Sequence, residues 1–128
     1  MNIKISIMSS VPIYLQIVEE IKKYIITNSV EGEQLPSIRA LAKELEIGII
    51  TVKKAYEQLV IENYIFSKSG VGYFVNKIDF NKLLLENKQK IYENIYYLVN
   101  EGKENKIGKA DVEEIFSRVL KEVYKDEY

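Results

Sequence analysis

The sequence predicts a mainly α fold with a small β-wing: a winged helix-turn-helix domain over residues 1–78, followed by a two-helix dimerisation arm over 79–128. Three observations predict it. Two short stretches with helical apolar spacing, around Ile38–Leu45 and Ile49–Leu59, are separated by the brief break Glu46-Ile47-Gly48, the pattern of two helices joined by a tight turn. From Tyr64 to Val75 the helical spacing gives way to aromatic and β-branched residues on either side of a Lys68-Ser69-Gly70 turn, which reads as a hairpin. Beyond Asp79 the helical spacing returns.

Taken in order, Ile3-Lys4-Ile5-Ser6-Ile7 alternates apolar and polar residues, as a short half-buried strand or an extended arm does. Pro12 suits a first helical turn, and Ile13, Leu15, Ile17, Val18, Ile21, Tyr24 and Ile25 form a broad apolar stripe behind it. This helix is expected to end near Thr27-Asn28, Asn being second only to Gly in the left-handed conformation that closes many helices. Glu31-Gly32-Glu33-Gln34 turns the chain. Pro36 then disfavours helix at Leu35, Ser37 can cap the N–H groups that follow, and Ile38, Leu41, Ala42 and Leu45 give the next helix its apolar face. The helix after the break, expected over about 49–62, presents Val52, Ala55, Tyr56 and Leu59 inward, with Ala55 small enough for a close crossing. The wing is expected over about 64–76.

In the arm, Asp79 can cap a helix with Phe80, Leu84, Ile91, Ile95 and Leu98 on one face and Leu83, Tyr92 and Val99 beside them. The stretch 102–108, with Gly at each end, is expected to break it. A last helix carries Val112, Ile115, Phe116, Val119, Leu120 and Val123. Two helices packed as a lone pair leave part of these stripes against water, so a second copy of the chain is the expected partner. The expected interface is Phe80, Leu84, Ile91, Ile95, Leu98, Val112, Phe116, Val119 and Val123.

Composition narrows the function. The chain has 128 residues and neither Cys nor His, which removes disulfides, thiolate chemistry, the commonest metal ligand and the commonest general base. No catalytic residue, metal site or cofactor is expected. No apolar run approaches a membrane span, and the start lacks a signal peptide's hydrophobic core, so a cytoplasmic location is expected. Net charge is −1, with nine basic and eight acidic residues up to Ile78. Charge alone therefore does not single out a nucleic-acid binder.

The motifs are more telling. Leu35-Pro36-Ser37-x-Arg39-x-Leu41-Ala42, then Thr51-Val52-x-Lys54-Ala55-Tyr56-x-x-Leu59, then Gly70-x-Gly72-x-Phe74-Val75 resemble the DNA-binding domain of GntR-family bacterial transcription regulators over about residues 12–76. Pro12-Ile13-Tyr14-x-Gln16-Ile17 and the short tail resemble the YtrA-like branch. The resemblance implies a sequence-specific regulator, a repressor, that binds double-stranded DNA as a homodimer. Its recognition helix would enter the major groove and its wing the flanking groove or backbone.

The candidate DNA contacts are Ser37, Arg39, Gly48, Ile49, Ile50, Thr51, Lys53, Lys54, Lys68, Gly70 and Gly72. The resemblance places Arg39 where the family's arginine contacts DNA, and a guanidinium can take a phosphate or a guanine edge bidentately. A surface salt bridge is its alternative. Thr51 suits a phosphate near a helix N-terminus, with capping as the alternative. Lys53 falls on the outward face, Lys54 and Gln58 are weaker candidates, and Lys68 can reach a phosphate from the wing or simply discourage edge pairing. Gly70 and Gly72 allow a tight tip. Tyr73, Phe74 and Val75 read as core.

Where related chains carry Ser-Arg or Asn-Pro-Asn, this one has Gly48-Ile49-Ile50. Either isoleucine can pack on a thymine methyl, or both can be buried. A winged helix turned to protein binding is the second reading, and salt-dependent duplex binding separates the two. An enzyme is disfavoured, since no paired-carboxylate or phosphate-loop motif is present. Tyr92, Tyr96, Tyr97, Phe116 and Tyr124 can line a small-effector pocket between protomers, or serve as ordinary core.

Overall fold

A computed structural model describes residues 1–125; the last three positions of the expected arm, 126–128, lie outside the described residues. The chain divides between Asp79 and Phe80 into two compact units. The first holds α1 (Ile13–Asn28), α2 (Ile38–Leu45), α3 (Ile49–Ile61), β1 (Ile65–Lys68) and β2 (Gly72–Val75). The second holds α4 (Phe80–Glu104) and α5 (Lys109–Val123).

In the first unit α1 and α2 both pack on α3. The stripe that makes α1 amphipathic supplies Ile17, Val18, Ile21 and Ile25 to the core, α2 supplies Leu41 and Ala42, and α3 supplies Val52, Ala55, Tyr56 and Leu59, all buried. Ile65 and Val75, paired across the hairpin, close the core from below. The hairpin is antiparallel, with Phe66 opposite Phe74 and Lys68 opposite Gly72. No described side-chain polar atom is buried without a hydrogen-bond partner.

One open alternative is decided and two local expectations are corrected. The N-terminal residues form no strand: Ile3 is buried, but the segment is held by Gln16, whose side chain accepts from the Ser6 N–H at 2.8 Å and donates to the Ser6 and Val11 carbonyls at 2.9 and 2.8 Å. Alternation predicted the burial of Ile3 but not the exposure of Ile7, which is 83% exposed, and a side chain ten residues on took the backbone bonds that a neighbouring strand would otherwise take. The left-handed residue after α1 is Ser29 (φ 49°), whereas Asn28 stays helical and donates to the Tyr24 carbonyl at 2.9 Å. The residues leading into α2 do more than turn: Gly32 donates to the Val75 carbonyl, Val75 to that of Glu33, and Leu35 to that of Tyr73, at 2.8–2.9 Å. Residues 32–35 thus lie along β2 through an isolated antiparallel bridge, Gln34 opposite Phe74, and fasten the wing to the α1–α2 connection.

The second unit is an α-helical pair in which no described residue is buried. Its break is shorter than expected, because α4 continues through Gly102 to Glu104 and the chain turns at Lys106, in the left-handed region (φ 63°). Gly102 sits against α5: a Cβ there would meet Val112 at 3.7 Å, an ordinary contact. Helix propensity disfavours Gly by only about 1 kcal/mol, too little to stop a helix with good periodicity on both sides.

Candidate nucleic-acid interface

The helix-turn-helix is built from its caps outward. Ser37 accepts from the Ala40 N–H at 3.0 Å and so starts α2 where the Leu-Pro-Ser motif predicts. Capping uses one lone pair of its hydroxyl and leaves the O–H as the donor for a phosphate oxygen. At the other end of α2 the left-handed turn residue is Glu46 (φ 56°), while Gly48 has φ −69° and precedes α3 in extended conformation. The turn thus depends on Glu46, and glycine at 48 is not demanded by backbone geometry.

No side chain caps α3, so its first-turn N–H groups face outward without a protein side-chain acceptor. Partial positive charge and unpaired donors at a helix N-terminus make an anion-binding end. Thr51 is in the first turn and does not cap it. Ile49 is 42% exposed and Ile50 83% exposed, which removes burial as the reason for either residue.

The basic candidates differ in how they are held. Arg39 is exposed near the start of α2 and, among the described residues, makes no ion pair, so the salt-bridge alternative is absent. Lys53 lies 4.0 Å from Glu57 one turn on, both exposed, a pair worth little in water. Lys54 places its ammonium 4.0 Å from the centre of the Tyr14 ring on α1. That contact directs it toward α1, and it explains a tyrosine in the motif that opens α1. Lys68 ends β1 rather than standing in the turn, and its ammonium lies 5.8 Å from the Phe74 ring.

The wing tip needs its glycines for different reasons. Gly70 takes φ 75°, open to glycine and costly for other residues. Gly72, at φ 143°, also faces Gln34, whose Nε2 would lie 2.8 Å from an added Cβ and donates to the Val71 carbonyl at 3.1 Å. Phe66 and Phe74 stack across the strands at 5.6 Å, Tyr73 meets Tyr56 edge-on at 5.0 Å, and only Val75 of the three expected core residues is fully buried.

Two supporting contacts were not legible as such. Tyr56, read only as an inward residue, donates its hydroxyl to the Pro36 carbonyl at 2.7 Å, fixing α3 to the entrance of α2. Burial pushes its hydroxyl pKa up, with smaller contributions from Tyr73 and Glu44. Lys22 of α1 joins Glu62 at the end of α3 at 2.8 Å and lies 3.5 Å from Glu19. Burial lowers the Lys22 pKa, but the Glu62 hydrogen bond and the charges of Glu19 and Glu62 outweigh it and leave it raised.

Tyr92, Tyr96, Tyr97 and Tyr124 are exposed, so within the chain they do not serve as ordinary core. The second unit instead carries an open apolar groove of about 730 Å³ between Val99 and Lys103 of α4 and Val112, Phe116 and Leu120 of α5. Among the described residues there is no cluster of three metal-ligating side chains, and no helix is long and apolar enough to cross a membrane.

This architecture has known counterparts. Residues 13–75 match the bacterial regulatory proteins of the gntR family. A GntR family transcriptional regulator from Listeria monocytogenes is 31% identical, with 88% of this chain and 96% of that chain covered and a TM-score of 0.64. The chain belongs to the GntR family. It is therefore a DNA-binding transcription regulator, in a family of regulators rather than enzymes. A second GntR-family transcription factor, YtrA from Sulfolobus acidocaldarius, is 36% identical over 73% of this chain and 97% of that one, with a TM-score of 0.61. The AraR DNA-binding domain, solved in complex with operator ORX1, is 27% identical over 56% of this chain and 90% of that one, with a TM-score of 0.51. No curated protein matches the chain by sequence. The two GntR regulators extend the likeness beyond the winged helix into the helical region.

Proposed function

We propose that this GntR regulator is a homodimeric repressor that acts in the cytoplasm on an inverted-repeat operator. The observation that carries the reading is the uncovered apolar face of the second unit. Phe80, Leu84, Ile91, Ile95 and Leu98 recur along α4 at spacings of four, seven, four and three, and every one is exposed. On α5, Val119 and Val123 are exposed, and Val112 and Phe116 only half-buried. Faces of this extent are covered in working proteins, and the heptad-like seam suits a second copy of the same arm. A two-fold dimer sets two α3 helices about 34 Å apart, so that both enter successive major grooves on one side of the duplex.

In this reading Arg39, the N-terminus of α3 with Thr51, and Lys53 contact each half-site, while Lys68, Gly70 and Gly72 bring the wing against the backbone. Ser37 and Lys54, already engaged by Ala40 and Tyr14, make the lesser contributions. Gly48 and Ile49 lie at the base edge. The AraR domain on its operator supports this use of a similar fold. Repression follows from occupancy, because a dimer across two grooves excludes other proteins from that stretch. A small apolar effector fits the groove between α4 and α5 if the partner arm leaves it open.

Selection of bound sequences from random duplex DNA tests the reading, with sedimentation of the same protein. A two-fold symmetric site and a dimer at micromolar concentration are expected. An asymmetric site or a monomer overturns the homodimer, and salt-independent binding overturns the DNA face.

A further inference from the structure

We propose that Ile50 reads the 5-methyl group of a thymine in each operator half-site. The proposal rests on the reading of α3 as the recognition helix. Val52, Ala55, Tyr56 and Leu59 define the buried side of α3. Ile50 stands two residues before Val52, about 200° around the helix, and so points away from the core. At 83% exposure it is the least covered large apolar side chain of α2 and α3. The fold gains nothing from it there: a β-branched residue is a poorer helix former than alanine, and its apolar surface stands in water.

What surrounds Ile50 selects the occupant. Lys53 and Lys54 follow in the next turn, and the α3 N-terminus beside it has no side-chain acceptor, so the neighbourhood favours a polyanion over a second apolar protein face. In the major groove, guanine, adenine and cytosine present donors and acceptors that would lose water against isoleucine. Thymine alone presents a methyl group. Gly48, Ile49 and Ile50 bring no polar side-chain atom to this turn, so Thr51 and the backbone N–H groups are the hydrogen-bonding groups left in it. Ile49, half as exposed and on the flank toward the core, is the supporting contact.

The test uses the full chain and the operator recovered by selection. Each thymine of the half-site is replaced in turn by uracil, which keeps the base pair and removes only the methyl. Both duplex series are titrated with the parent and with Ile50→Ala. For the parent, a uracil at one position of one half-site weakens binding by about fourfold, the value of one buried methyl. Ile50→Ala binds the thymine and uracil duplexes alike. If the parent discriminates at no position, or if the selected half-site holds no thymine, the methyl readout is wrong while DNA recognition stands. If Ile50→Ala still discriminates fourfold, another side chain reads the methyl and the assignment is overturned. If the parent prefers no duplex sequence, the failure lies in the underlying reading of α3.

Discussion

The two units of the chain spend their apolar residues differently. In the first, ten large side chains including Tyr56, Ile17, Ile21 and Leu59 are almost wholly enclosed by their own unit. In the second, α4 and α5 have comparable stripes, yet none of their described residues is buried. Three helices and a hairpin can surround a side chain on all sides. Two helices can cover only one face of each other. The first unit accordingly closes its own core, whereas the second leaves its apolar stripes uncovered.

Removing residues 79–128 breaks the contrast most severely. The remaining winged helix is expected to stay folded, sediment as a monomer and bind the operator about 10²–10⁴-fold more weakly, since a linked second site is lost. Retention of the dimer or of full affinity would place the interface in the winged helix.

Matched substitutions sharpen the comparison. Leu59→Ala empties part of a closed core and is expected to destabilise the protein by about 2–5 kcal/mol at any protein concentration. Leu98→Ala removes the same atoms from an exposed seam. Its effect is expected as weaker dimerisation, with a melting temperature that depends more steeply on concentration. Equal, concentration-independent losses would show that both leucines are ordinary core.

Within the DNA face the expected effects are smaller. Arg39→Ala should weaken specific binding by about 1–3 kcal/mol, whereas Lys53→Ala should weaken all duplexes alike and lower the salt slope by about one unit. Parent-like binding by both across salt concentrations would move the face elsewhere.

The smallest effect is on pH. Because the folded pKa of Lys22 is raised above 10.5, its contribution is complete below that value and is lost as pH rises through the higher folded pKa. The stability gap between the parent and Lys22→Met should therefore narrow as the solution becomes strongly alkaline. A gap unchanged there would show that the Lys22 charge does not carry the contribution of its pair with Glu62.

Much of the site was legible because its signals are local. Ser37 caps the residue three positions on, and Val52, Ala55, Tyr56 and Leu59 share a face by helical spacing alone. The pairings that hold the wing were not, since Gln34 meets residues 71–74 across nearly forty positions and no periodicity registers it. The same holds for Tyr56 with Pro36 and Lys54 with Tyr14.

By itself, then, the sequence determined the order of the elements, the inward faces and the family, because backbone propensity and periodicity act over a few residues. Tertiary structure decided which polar groups are occupied and which remain free. It turned Lys54 toward a ring, left Arg39 without an ion pair among the described residues, tied the N-terminal segment to Gln16, and put Ile50 in solvent. Those outcomes depend on what stands opposite each side chain in space, and that is settled only when distant segments pack.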